Sequence, residues 1–155
     1  MNALSNSTLR LLLAGALAAF VAGCGSTTSG GAMGGSAGGS AGGSSLTLTG
    51  GEEVPPVTTS ATGTGRFTVG SDGSIEGKVT TTGINGTAAH IHMAPRGQNG
   101  GVIVPLAKSG DNEWSTASGA KLTEAQLAAY RAGGLYVNVH SAANPGGEIR
   151  AQLAP

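Results

Sequence analysis

The sequence predicts an all-β fold: an antiparallel, Greek-key-like β-sandwich of about eight short strands with one short crossover helix. Three observations predict it. From Leu46 onward, apolar residues recur with period two in short runs, which puts them on one face of a strand. Gly-rich turns such as Ser71-Asp72-Gly73 and Asn99-Gly100-Gly101 separate the runs. One segment, Thr123 to Arg131, carries helix end signals instead.

The first element is not part of that domain. Asn2 to Thr8 is mostly polar, Arg10 adds a positive charge, and Leu11 to Ala22 is an unbroken apolar run. This is the pattern of a signal peptide over residues 1–23, too short for a mature membrane span of about 20 apolar residues. Its end, Val21-Ala22-Gly23-Cys24, resembles the lipobox of bacterial lipoproteins. The resemblance implies lipid attachment at Cys24 and membrane association through that lipid. Cys24 is the only cysteine, so no intramolecular disulfide forms. Gly25 follows it rather than Asp, and the resemblance then implies the outer membrane, facing periplasm or surface, as destination.

Residues 24–45 are expected to form a tether. Of the 21 residues from Gly25 to Ser45, 15 are Gly or Ser, and none is charged. Such a segment buries too little apolar area to offset the entropy of ordering. As a coil it spans roughly 25 Å, from about 5–6 Å × √n.

The domain is then 46–155. Leu46 and Leu48 begin the alternation. Phe67 and Val69, then Ile75, Gly77 and Val79, flank Ser71-Asp72-Gly73 as a β-hairpin. Ala89, Ile91 and Met93 alternate with His90 and His92. Val102 to Leu106 contains Pro105 and predicts an edge strand or a bulge. Asn112 to Thr116 is a further strand. Thr123-Glu124-Ala125-Gln126 fits a capping box, with Leu122 and Leu127 at the staple positions and Gly133-Gly134 as terminator. The helix is expected to be a crossover lid. Leu135, Val137 and Val139, then Ile149, Ala151 and Leu153, supply the last two strands. Glu52-Glu53 with Pro55-Pro56 reads as a strand–loop junction, and Pro145-Gly146-Gly147 as a tight loop.

Charge narrows the partners. Eight basic residues balance eight acidic ones, and no basic cluster is present. The domain's aromatics are Phe67, Trp114, Tyr130 and Tyr136. Nothing in this supports nucleic-acid binding, and no phosphate-binding fingerprint opens a helix. No nucleophile elbow or triad context is visible, so no catalytic residue is assigned and an enzyme is not expected. No protein partner is indicated.

Four blocks carry a family resemblance: Gly51-Glu52-Glu53-Val54-Pro55-Pro56-Val57, Ala89-His90-Ile91-His92, Tyr136-Val137-Asn138-Val139-His140 and Pro145-Gly146-Gly147-Glu148-Ile149-Arg150. In order and spacing they resemble the CHRD domain first defined in chordin, over essentially all of Leu46 to Leu153. The resemblance implies a secreted or exported β-domain; the reading as a binding module rests on the histidines. Ala94-Pro95 departs from the more frequent Gly-Pro of the family.

The chemistry lies in the three histidines, each within one of these blocks. Residues i and i+2 of a strand share a face, roughly 6.6–6.8 Å apart. His90, His92 and His140 all fall on the non-core face by pattern. If the two strands are neighbours, the rings converge as metal ligands, with M–N bonds of about 2.0–2.1 Å. Neutral imidazoles suit copper best, with zinc, or no metal, as alternatives. Asn138, Glu148 and Arg150 are candidates to orient the rings. The His-x-His strand and the later Val-His strand are also similar to the copper-ligand segments of Cu/Zn superoxide dismutases, but no fourth histidine or zinc subsite accompanies them. The competing role is a scaffold one: solvated rings, or braces bonded to loop carbonyls.

Overall fold

Alternating apolar residues form eight antiparallel strands in the computed structural model, which describes residues 43–155. The signal segment, Cys24 and nearly all of the tether lie outside the described residues. The strands are β1 (Ser44–Thr49), β2 (Thr62–Val69), β3 (Ile75–Thr82), β4 (Gly86–Met93), β5 (Gly101–Gly110), β6 (Glu113–Thr116), β7 (Leu135–Ser141) and β8 (Ile149–Leu153). A 3-10 turn (Gly50–Glu52) follows β1, and the helix α1 (Glu124–Arg131) joins β6 to β7. β1 starts before Leu46, because Ser44 and Ser45 pair with Phe67 and Arg66.

The strand order is β1-β2-β3-β6-β5-β4-β7-β8, and β1 returns to β8 at Thr49↔Arg150. The sheet is therefore a closed barrel, not the open sandwich expected from the sequence. The reason is physical: inward–outward alternation is identical along a sandwich strand and a barrel strand. Only the β1–β8 seam distinguishes them, and it rests on non-local pairing. At eight strands the interior is just wide enough for side chains to fill it. Leu48, Phe67, Ile75, Val79, Ile91, Leu135, Val137, Val139, Ile149 and Leu153 do so with no measurable exposure.

The predicted hairpin forms as β2–β3, with Val69 opposite Ile75 and Gly73 at φ +83° in the turn. Asp72 closes it by accepting from the Ser74 amide at 3.0 Å and its hydroxyl at 2.7 Å. Pro105 lies in β5, which pairs with both β4 and β6 and so is no edge. The bulge alternative holds: Ile91 faces Val104 and His92 faces Val102, leaving Ile103 as the extra residue. Met93, grouped with the core by alternation, is instead 42% exposed at the end of β4.

The capping box forms as expected. The Gln126 amide donates to Thr123 Oγ1 at 3.3 Å, and the Thr123 amide donates to Gln126 Oε1 at 2.8 Å. Leu122, Leu127 and Tyr130 join the barrel core. α1 is also the long connection of a Greek key. β4, β5 and β6 are successive hairpin strands, and the chain then crosses through α1 to lay β7 beside β4. That crossover brings the third histidine to the other two.

Candidate metal centre

One face of β7 points into the barrel with Leu135, Val137 and Val139. Its other face carries Tyr136, Asn138 and His140, and these are also buried, at 2%, 2% and 8% exposure. Loops cover them. Residues 53–61, 94–100 and 142–148 lie over the outer face of β4, β7 and β8, and polar contacts tie them together. Asn99 Nδ2 donates to the Val54 carbonyl at 2.6 Å. Arg96 pairs with Glu52. Thr59 Oγ1 donates to Glu148 Oε1 at 2.8 Å, and Ser141 Oγ donates to the other oxygen of that carboxylate. The Arg150 guanidinium donates to the Gln98 carbonyl at 2.9 Å and to Asn99 Oδ1 at 3.2 Å.

Beneath these loops the three histidines meet. Register places His90 opposite Asn138, His92 opposite Tyr136, and the small Ala88 opposite His140. The His140 ring sits diagonally against His90, with ring centres 4.9 Å apart. His92 lies 5.7 Å from His90 and 6.0 Å from His140 between ring centres. One nitrogen from each ring falls within 4.8 Å of the others.

Backbone carbonyls set two of the tautomers. His92 Nδ1 lies 2.9 Å from the Gly100 carbonyl, and His140 Nδ1 lies 3.0 Å from the Pro145 carbonyl. A carbonyl only accepts, so both Nδ1 atoms carry the proton and both Nε2 atoms present lone pairs. Gly100 is required where it stands, since a Cβ there would lie 1.9 Å from the Met93 carbonyl oxygen. His92 Nε2 is buried without a hydrogen-bond partner. His140 Nε2 faces His90 Nδ1 at 3.0 Å. With His140 Nε2 as the acceptor, His90 Nδ1–H donates across that gap, and a metal held by both nitrogens would replace this proton.

Two of the three rings are biased toward the neutral form. Burial holds the imidazoles of His90 and His92 below the usual histidine range, and their mutual repulsion with His140 adds to it. A neutral imidazole is the ligating form. The His92 ring stacks on Tyr136 at 4.8 Å and 8°, and Arg150 lies 3.4 Å over the same Tyr136 ring from the β8 side.

The residues expected to orient the rings divide by role. Asn138 is buried beside His92 and Glu53. Arg150 backs Tyr136 and holds the 94–100 loop. Glu148 is committed to Thr59 and Ser141 and holds the 142–148 loop. The tautomers are set instead by Gly100 and Pro145, whose carbonyls no sequence pattern announces.

Sequence reasoning also missed Glu53. Taken as a junction residue, it is 5% exposed, and its Oε1 has no hydrogen-bond partner. Burial pushes its carboxyl up to about 7, against the opposing pull of Arg150 and Asn138. Gly147, at φ +131°, makes room for it, since a Cβ there would lie 2.6 Å from both Glu53 Oε1 and Asn138 Nδ2. Among the described residues four buried side-chain polar atoms lack a partner. Three of them, His92 Nε2, Asn138 Oδ1 and Glu53 Oε1, lie under these loops. All three are acceptors, so a donor or a cation could satisfy them.

No curated protein and no solved structure matches the chain. The CHRD domain family matches residues 44–153, from the first strand to the end of the last. The four blocks that build this site fall within that span, and the chain belongs to the CHRD domain family.

Proposed function

We propose that this CHRD domain is an extracytoplasmic metal-binding module, held to the cell envelope by a lipid on Cys24, with His90, His92 and His140 as ligands. The observation that carries the reading is the convergence of three outward-facing imidazoles, two with Nδ1 spent on a carbonyl and Nε2 left as an acceptor. Family membership supports a binding module, and the module is read as acting by binding alone. Copper is the proposed metal. Three neutral imidazoles suit it, and Cu(II) stands highest in the divalent affinity order, with Zn(II) behind it. Gly25 after the lipid-bearing cysteine favours the outer membrane.

The test is calorimetric titration of the full chain with Cu(II) and Zn(II), with electron paramagnetic resonance of the copper form. The expected result is one equivalent bound, nitrogen hyperfine structure from imidazoles, and loss of binding in a folded His90→Ala/His92→Ala variant. Weak, non-stoichiometric binding that survives the double substitution would sink the metal site. A second reading then takes over: the carbonyl bonds of His92 and His140 are braces that pin the 94–100 and 142–148 loops, and the domain is structural.

A further inference from the structure

Asn138 stands at the middle of the histidine cluster. On β7 it shares the outer face with His140, two residues on. Across the ladder it is directly opposite His90 and diagonal to His92. Opposed residues of an antiparallel pair have Cβ atoms about 4.5–5.5 Å apart, and diagonal ones are about 7–8 Å apart. An amide at this position is within side-chain reach of all three rings.

Its side chain is 2% exposed, and Oδ1 has no hydrogen-bond partner. His92 Nε2 is in the same condition. Neither atom satisfies the other. The His92 proton is spent at Nδ1 on the Gly100 carbonyl, which leaves a lone pair at Nε2. Burial disfavours the alternative, a charged His92 ring donating to Oδ1.

The amide is oriented from its other end. A Cβ on Gly147 would lie 2.6 Å from both Asn138 Nδ2 and Glu53 Oε1, so the amide nitrogen is on the side of the carboxyl. Asn138 draws the Glu53 carboxyl down and the His92 ring up. The first is the effect of a donor and the second that of an acceptor. Nδ2 is therefore turned to Glu53, and Oδ1 to His92. Two bare acceptors side by side, one nitrogen and one oxygen, are a pair that a single cation satisfies at once.

We propose that Asn138 Oδ1 is a fourth ligand to the metal held by His90, His92 and His140, and that Glu53 is the positioning residue that takes Nδ2 and so aims Oδ1. The inference rests on the histidine site proposed above and completes it as a set of three nitrogens and one oxygen. Four ligands suit a closed tetrahedral Zn(II) site, and nitrogen with oxygen suits tetragonal Cu(II). An amide oxygen is a hard donor, so the set favours Cu(II) or Zn(II) over Cu(I), which selects sulfur.

The experiment is electron–nuclear double resonance of the Cu(II)-loaded full chain, with every asparagine carrying carbon-13 at its side-chain carbonyl. The expected spectrum has one carbon-13 coupling beside the imidazole nitrogens. Asn138→Leu should remove that coupling and weaken Cu(II) binding roughly tenfold or more. A merely structural Asn138 would lower affinity on substitution but give no coupling in the wild type. Exchanging the two groups, as Glu53→Gln with Asn138→Asp, keeps a donor at 53 and an oxygen at 138, and should recover the affinity that Asn138→Leu loses. Copper bound through imidazoles with no carbon-13 coupling in the wild type, or a double variant no tighter than Asn138→Leu, would overturn this ligand and leave the histidine site standing. No stoichiometric copper in the wild type would overturn both. The wild-type spectrum decides even where a variant fails to fold.

Discussion

The β2–β3 hairpin and the β4–β7 pair have the same alternation and opposite fates. Both turn aliphatic residues into the barrel. On β2 and β3 the other face carries Thr64, Arg66, Glu76, Lys78 and Thr80, all exposed. On β4 and β7 it carries His92, Tyr136, Asn138 and His140, all buried under loops. Polar residues on a solvated face need no partner but water. Polar residues under a cover must be hydrogen-bonded or must receive something, since burying them bare costs free energy. The difference marks where this molecule keeps its chemistry.

The comparison is broken most severely from inside. Ile91, fully buried in β4 between the two His-x-His rings in sequence, should lose about 2–5 kcal/mol of stability when replaced by Ala. Metal affinity of the remaining folded protein should be nearly unchanged. His140→Ala on the outer face should do the reverse. It should cost about 1 kcal/mol for a lost hydrogen bond, while metal affinity falls by roughly 100-fold or more. Urea unfolding beside metal titration of the two variants checks both. If His140→Ala unfolds the protein as Ile91→Ala does, the outer face is scaffold.

Glu53 sharpens the contrast through pH. Its carboxyl is pushed up from 4.5 to about 7 in the fold, so the protonated form favours folding. That contribution is complete below pH 4.5 and is lost as pH rises through about 7. Between pH 5 and pH 8 the wild type should lose on the order of 2–3 kcal/mol relative to Glu53→Gln. His90 and His92 run the other way. Both are held below the usual 6.5, so their contribution is present above that pH and lost as pH falls below it. Unfolding of the metal-free chain at the two pH values measures the net slope, and Glu53→Gln isolates the carboxylate. An identical pH dependence in wild type and variant would contradict the burial of an ionisable Glu53.

Gly147→Ala tests the same pocket by steric means. The added Cβ meets Glu53 Oε1 and Asn138 Nδ2 at 2.6 Å, on a backbone at φ +131°. A loss of about 1–3 kcal/mol is expected, with a weakened metal site because Asn138 shifts beside His92. An Ala at Gly146, where nothing lies within 4 Å, is the matched neutral change.

How far the sequence reached follows from what each feature depends on. The eight strands, the hairpin turn and the capped helix rest on local periodicity and end signals, and each appeared where expected. The triad was legible because His90 and His92 share one strand face, and because the blocks around them resemble a known family. Barrel closure was not legible, since it depends on where β1 meets β8 in space. Nor was the burial of Glu53. Its neighbours Pro55 and Pro56 mark a loop in any sequence, and only the fold shows that the loop lies down over β7 and β8. The ring-orienting carbonyls of Gly100 and Pro145 are backbone atoms, which no residue pattern can name.

The smallest effect belongs to the face that water covers. Lys78 and Glu113 make an ion pair at 2.9 Å, with side chains 61% and 36% exposed. Solvent and salt screen such a pair, and holding two long side chains together costs entropy. Lys78→Ala should leave the urea midpoint unchanged within error and metal affinity unaltered, at low and at high salt. Arg150 shows why the same chemistry differs on the covered face. It is 1% exposed and holds Tyr136, Gln98 and Asn99 together, so its loss strands several partners at once. A measurable midpoint shift in Lys78→Ala would mean that the β2–β3 face is not the solvated surface its exposure indicates, and that a partner covers it as well.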